Sequence, residues 1–135
     1  MAINGTADYA SESSLPPLVA AAVDAARHAG FTKSCLPQQG RLLQLPAAGV
    51  GAGRIGETGT GYGVGLAWMA SMAHPDAELF SVECDPSPAR QAEVVFAADR
   101  RCMFAAVTGG IWPARLRSTC WSSTVAGKAK RRKRR

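Results

Sequence analysis

Hydrophobic and polar positions divide the chain into a polar opening, a long alternation of apolar runs and turn signals, and a closing stretch without period. Residues 1–13 are polar, which predicts a flexible N-terminus. Ser14 can cap a helix that has Pro16 and Pro17 in its first turn, where a missing N–H costs nothing. The alanine-rich run LVAAAVDAARHA fills that helix, and Gly30 stops it. Phe31 to Gln39 reads as a loop. RLLQL begins a second helical piece that Pro46 interrupts, and AAGVGAG reads as a flexible link.

The texture then changes. RIGET is a short strand candidate followed at once by GTGYGVG, and the apolar helix VGLAWMASMA ends before His74, Pro75 and Asp76. LFSVE is a β-rich run, and Ser87 and Pro88 offer a cap and first position for the helix ARQAEVVFAAD. Helix, strand, Gly-rich turn, helix, strand, helix is the opening of a parallel, doubly wound α/β sheet. After Arg101 the alternation dissolves, and CMFAAVTGGIWPARLRSTCWSSTVAG shows neither the strand nor the helix period, so no element is predicted there.

Length and charge sharpen this picture. A chain of 135 residues suits one small domain and is too short for two ordinary ones. No apolar stretch reaches the roughly 18–20 uncharged residues of a membrane span. The acidic, polar N-terminus is not a secretory signal, which points by default to the cytoplasm. Cys35, Cys84, Cys102 and Cys120 are scattered, so they read as reduced thiols, not as a zinc site or a disulfide framework. The formal charge of +6 hides an asymmetry: residues 1–99 carry five bases and all ten acids, a net −5, whereas residues 100–135 carry eleven bases and no acid.

Two glycine clusters compete for the role of ligand turn. Gly51, Gly53 and Gly56 match G-x-G-x-x-G, with Asp76 twenty residues beyond, but they precede the strand that the fingerprint should follow. A flexible loop is the better reading. The second cluster, Glu57-Thr58-Gly59-Thr60-Gly61-Tyr62-Gly63, sits where a strand turns into a helix. Glycines there let the backbone approach a ligand closely. Val64 breaks the dinucleotide spacing from Gly59, whereas an acid followed by G-x-G-x-G is the pattern used for S-adenosylmethionine. Glu83 closes LFSVE, where a carboxylate can accept two hydrogen bonds from a ribose diol. A right-handed crossover places the two strand ends side by side.

The stretch RIGETGTGYGVGLAWMASMAHPDAELFSVECDPSPARQAEVVFA resembles motif I through the second helix of class I S-adenosylmethionine-dependent methyltransferases. Within that class it is similar to small bacterial O-methyltransferases related to catechol and caffeoyl-CoA O-methyltransferases. The upstream SLPPLVAAAVDAARHAGFTKSCLPQQGRLLQL resembles their N-terminal helices and the segment covering the cofactor. The resemblance implies a Rossmann-like doubly wound parallel sheet, present only in its N-terminal part and followed by an irregular basic C-terminal tail. It divides the chain into a flexible 1–13, a half methyltransferase domain at 14–100 and a tail at 101–135. It implies that Glu57, Gly59, Thr60, Gly61, Tyr62 and Gly63 line the methionine part of S-adenosylmethionine. Glu83 would hold the ribose hydroxyls, Cys84 and Asp85 would lie beside the adenine, and Ser34 and Cys35 would reach the cofactor from the N-terminal side. The partner would be a small-molecule hydroxyl. Metal-dependent relatives place a divalent ion on carboxylates at and beyond the fourth strand, which this chain lacks.

Those relatives continue with a G-D-W-like segment and an aspartate-ended strand such as FDLLVLDGG. Reading the last base of each codon with the first two of the next forces Ala across Trp112–Pro113 and Leu across Cys120–Trp121. The degenerate positions then fit GDWRDLA from Ala106 to Pro113 and FDLLVLDGGG from Arg117 to Gly127. The reading is that residues from about Arg101 onward are a frameshifted translation of a methyltransferase gene. Little or no activity is expected of such a chain.

Two other functions compete. KAKRRKRR, residues Lys128–Arg135, would bind nucleic acid nonspecifically as a polyelectrolyte. A non-catalytic binding protein built on the same fold is the other alternative. A half-sheet leaves an unpaired edge and an apolar face, so association or aggregation is expected, a homodimer being one form it can take. His28 and His74 read as helix-end dipole partners. Leu66, Trp68, Met69 and Met72 read as sheet-packing core.

Overall fold

A computed structural model of the chain describes residues 3–107. Its elements run η1 (Ala7–Ser11), α1 (Pro17–His28), α2 (Pro37–Gly49), β1 (Arg54–Thr58), α3 (Val64–Met72), β2 (Glu78–Glu83), α4 (Pro86–Val95) and β3 (Cys102–Ala106). The three strands form one parallel sheet in the order β1-β2-β3, with Ile55 opposite Leu79 and Leu79 opposite Cys102. Parallel neighbours need a crossover, and α3 and α4 supply the two. The N-terminal part of a Rossmann-like α/β sheet is therefore present.

The core lies where α1 and α3 meet the sheet. Val19, Ala22, Ile55, Leu66, Ala67 and Leu79 are fully buried. Gly40 lets α2 come close to α3: a Cβ there would stand 2.2 Å from the Trp68 indole. Leu66, Trp68 and Met69 are core, as their apolar run predicts, but Met72 is 53% exposed because the helix ends there.

Several elements depart from the sequence reading. α2 begins at Pro37 inside the predicted loop and runs through Pro46 to Gly49. Pro46 stands in the last turn, so the donor it removes is one of the final bonds and the helix is nearly complete before it. α4 starts earlier than Ser87: Asp85 is its N-cap, accepting from the backbone N–H of Ser87 at 2.9 Å, and Pro86 is the first helical residue.

The polar N-terminus holds a 3₁₀ turn whose Tyr9 is 2% exposed. β3 occupies residues where no strand was predicted, pairing Phe80 with Met103 and Glu83 with Ala106. Arg101 locks this addition in place. Its guanidinium donates to the carbonyls of Ala70 and Ala73, the last of α3, and pairs with Asp99 at 2.6 Å. His28 Nδ1 lies 2.8 Å from the Asp24 carbonyl in the last turn of α1, and His74 Nδ1 accepts from the N–H of Asp76.

No described helix is long and apolar enough to cross a membrane. The re-read strings beyond residue 107 and the basic run Lys128–Arg135 lie outside the described residues.

Candidate functional site

A cleft of about 510 Å³ opens at the C-terminal end of β1, a size in the ordinary range for small-molecule sites. Its floor is Gly56 to Tyr62, and its walls come from Phe31 to Cys35, from Leu43 and Pro46 of α2, and from Val64 and Met69 of α3. Ligands in open α/β sheets sit at this end of the strands. Glu57, Gly59, Thr60, Gly61 and Tyr62 therefore share one concave surface with Ser34 and Cys35.

The turn needs its glycines. Gly59, Gly61 and Gly63 have φ of 80°, 52° and 83°, a left-handed region costly for any side chain. Gly63 caps α3 without lining the cleft, because its Cα faces Phe96, and a Cβ would come within 2.7 Å of that ring. The turn is tied back to β2 by Gly59 N–H donating to the Val82 carbonyl at 2.8 Å. On the cleft side, Phe31 packs on Tyr62 in a tilted arrangement, with ring centroids 5.0 Å apart and the planes at 47°.

Two carboxylates meet this turn in different states. Glu57 accepts from the Ser81 hydroxyl at 2.8 Å, and that hydroxyl lies 2.6 Å from the Thr60 hydroxyl. A Cβ on Gly65 would sit 2.6 Å from Glu57 Oε1, so the helix start crowds the carboxyl. Burial pushes its pKa up to about 7, the Ser81 bond opposes this, and the charge of Glu83 adds to it.

Glu83 is 8% exposed and richly bonded. Oε2 accepts from the Gly61 N–H at 2.8 Å, and Oε1 accepts from the N–H groups of Cys84 at 2.8 Å and Asp85 at 3.0 Å. Burial raises its pKa, but the bonds from Asp85, Gly61 and Cys84 outweigh burial and hold the carboxyl below the ordinary range.

The predicted constellation is thus partly assembled. Glu83 touches the turn through Gly61 but does not line the cleft, and neither do Cys84 and Asp85. Cys84 is exposed, and its thiol donates to Glu83 Oε1 at 3.3 Å. Asp85 spends a carboxylate oxygen on capping α4. The sequence reading missed Phe31, Lys33, Leu43, Pro46 and Met69 as cleft walls, and Ser81 as the bridge between Thr60 and Glu57. The alternation of LFSVE puts Ser81 on the face of Glu83, a signal that was present in the pattern.

A parallel β–α–β unit with a glycine turn and an acid at the end of the second strand is a Rossmann-like arrangement, and solved methyltransferases share this fold. The chain is similar in structure to cofactor-bound Rv0187 from MTB, with 27% identity and a TM-score of 0.61 over 75% of this chain and 47% of that one. It is similar to the O-methyltransferase TomG from Streptomyces achromogenes, involved in tomaymycin synthesis and solved with S-adenosylmethionine, at 24% identity, a TM-score of 0.59 and 75% and 48% coverage. An O-methyltransferase from Bacillus cereus in complex with S-adenosylhomocysteine matches at 18% identity and a TM-score of 0.59, covering 78% and 49%. The chain spans about half the length of the solved structures it matches. No family model and no curated protein matches it.

Proposed function

We propose that the chain is the cofactor-binding half of an S-adenosylmethionine-dependent O-methyltransferase, acting on a hydroxyl of a small molecule, and that it is impaired or inactive as it stands. The observation that carries this reading is the bond from Gly61 to Glu83, which joins the glycine turn to the acid at the end of β2.

The residues present fit the cofactor. Gly59 and Gly61 bring bare backbone to the cleft, with the Phe31 ring close beside Gly61, and Glu57 offers a carboxyl to a cationic group. In this reading Glu57, Gly59, Thr60, Gly61 and Tyr62 take the methionine part, Gly63 only shapes the turn behind them, Glu83 takes the ribose diol, and Cys84 and Asp85 flank the adenine. A carboxylate has about four acceptor sites, and Glu83 already accepts three N–H groups and a thiol. Oε2 accepts only the Gly61 N–H and keeps a lone pair for one ribose hydroxyl, and the other hydroxyl would replace the weak donor on Oε1, the Cys84 thiol. Bound S-adenosylmethionine supplies an electrophilic methyl group on sulfur. The chain's own residues would orient the donor and exclude water from it.

No group of three His, Cys, Asp or Glu is arranged to hold a metal among the described residues. The acceptor wall, the base and any metal carboxylates of intact relatives belong to later strands, so this reading assigns none of them here. A cytoplasmic location, homodimer formation and nonspecific nucleic-acid binding by Lys128–Arg135 accompany the reading. Light scattering and a salt titration of DNA binding test the last two. The frameshift is tested by sequencing codons 98–104 of the gene, where a displaced frame is expected.

Titration calorimetry of the full chain with S-adenosylhomocysteine tests the core of the proposal. One-to-one binding at about 1–100 μM is expected, and no heat at millimolar ligand would refute it. Methylation of a catechol-like acceptor near an ordinary turnover of about 1 s⁻¹ would overturn the expected impairment.

A further inference from the structure

The N-terminal segment reaches across to the wall of the cleft. Thr6 and Ser34 are each 4% exposed, and their side chains are locked together. The Thr6 hydroxyl donates to Ser34 Oγ at 2.8 Å and accepts from the Ser34 backbone N–H at 3.3 Å. The Thr6 N–H donates to the Thr32 carbonyl at 3.2 Å. The backbone bonds described for Thr32 and Ser34 thus both run to one residue.

Tyr9 makes the second attachment. Its hydroxyl accepts from Trp68 Nε1 at 2.9 Å and lies 3.7 Å from Cys35 Sγ. Trp68 belongs to α3, the helix that the glycine turn starts, so Tyr9 ties the wall to the element that aims the turn.

The segment they hold, Phe31 to Cys35, joins α1 to α2 with no strand ladder of its own. It also meets the turn directly. Phe31 packs on Tyr62, and a Cβ on Gly61 would meet the Phe31 ring at 3.1 Å. A shift of this wall changes the space over Gly61.

We infer that Thr6 and Tyr9 are positioning residues for the cleft: they hold the Phe31–Cys35 wall against the glycine turn, and ligand affinity depends on them although neither lines the cleft. This rests on the reading that the cleft takes the cofactor. A buried hydroxyl used as both donor and acceptor leaves partners unsatisfied when removed.

The test compares wild type, Thr6→Val, Thr6→Ser and Tyr9→Phe in the full chain. S-adenosylhomocysteine affinity is measured by calorimetry, and amide exchange is followed without ligand. Thr6→Val should raise the dissociation constant about tenfold after correction for folded fraction, and Thr6→Ser should return it to within about twofold. Amides of residues 31–35 should exchange about tenfold faster in Thr6→Val while those of β2 stay unchanged. Wild-type affinity in folded Thr6→Val, or exchange quickened evenly through the chain, overturns the inference, since a merely structural role would behave that way. If Thr6→Val does not fold, Tyr9→Phe against Thr6→Ser decides on the same criteria. If wild type itself binds no S-adenosylhomocysteine, the cofactor reading falls and the affinity part of this inference with it. The exchange pattern then decides alone whether Thr6 holds the wall.

Discussion

The carboxylate of Glu83 reaches back from the end of β2 to the backbone N–H of Gly61, 2.8 Å away, and so fixes a turn twenty-two residues earlier in the chain. Glu83 is a structural anchor before any ligand arrives. The same oxygens that would meet a ribose hold the turn that would meet the rest of the cofactor.

Glu83→Gln should weaken both roles. An amide keeps an oxygen for one side but turns an NH₂ toward N–H donors on the other. We expect a loss of about 1–3 kcal/mol in urea unfolding, together with more than about tenfold weaker S-adenosylhomocysteine binding. The pH sign follows from the lowered pKa. Glu83's contribution is present above the ordinary carboxylate range and is lost as pH falls through its depressed folded value. Acid unfolding of Glu83→Gln should therefore be shallower than that of wild type.

Glu57 has the opposite sign. Its folded pKa of about 7 exceeds the unfolded value of 4.5, so the native state binds the extra proton between them. Stability should fall as pH rises from about 4.5 to 7 and level off above, a difference of about 3 kcal/mol at most. Glu57→Gln should flatten that slope and be the more stable protein at pH 8, while losing affinity for a cationic ligand. Thermal melts across pH, with and without S-adenosylmethionine, check both parts. A variant less stable than wild type at pH 8 would contradict the assignment.

Gly63→Ala and Gly40→Ala should both destabilise, for different reasons. At Gly63 the backbone has φ of 83° and a Cβ would press on Phe96. At Gly40 only the 2.2 Å clash with Trp68 operates. Each should cost about 1–3 kcal/mol in chemical unfolding. Trimming the clashing ring in Gly63→Ala/Phe96→Leu should recover less than the corresponding relief at Gly40, because the left-handed backbone remains.

Arg101→Ala should cost about 1–3 kcal/mol, and Arg101→Lys should recover little of it. The planar fork serves Asp99 and the carbonyls of Ala70 and Ala73 at once, which a single ammonium cannot copy. Amide exchange in the last turn of α3 and in β3 should quicken together.

Much of the site was legible because it depends on local punctuation. Glycines between RIGET and VGLAW mark the turn, and the return strand LFSVE delivers Glu83 beside it through the handedness of the crossover. What was not legible depends on distant partners. CMFAA has no alternation and is a strand because β2 offers an open edge. Thr6 and Tyr9 sit in a polar run, and only Ser34 and Trp68, far along the chain, give them a buried place. Pro46 signals a break in the sequence because a proline's cost depends on its place in the helix, and near the end of α2 it removes little.

Arg101 also sets an order of events during synthesis. The ribosome completes α3 at Met72, but the guanidinium that seals its last carbonyls is made twenty-eight residues after Ala73. A nascent chain shorter than this has no Arg101 donor for the carbonyls of Ala70 and Ala73, at the end of the helix that the glycine turn starts. One arginine finishes the helix, and the third strand, Cys102–Ala106, follows it directly in the chain.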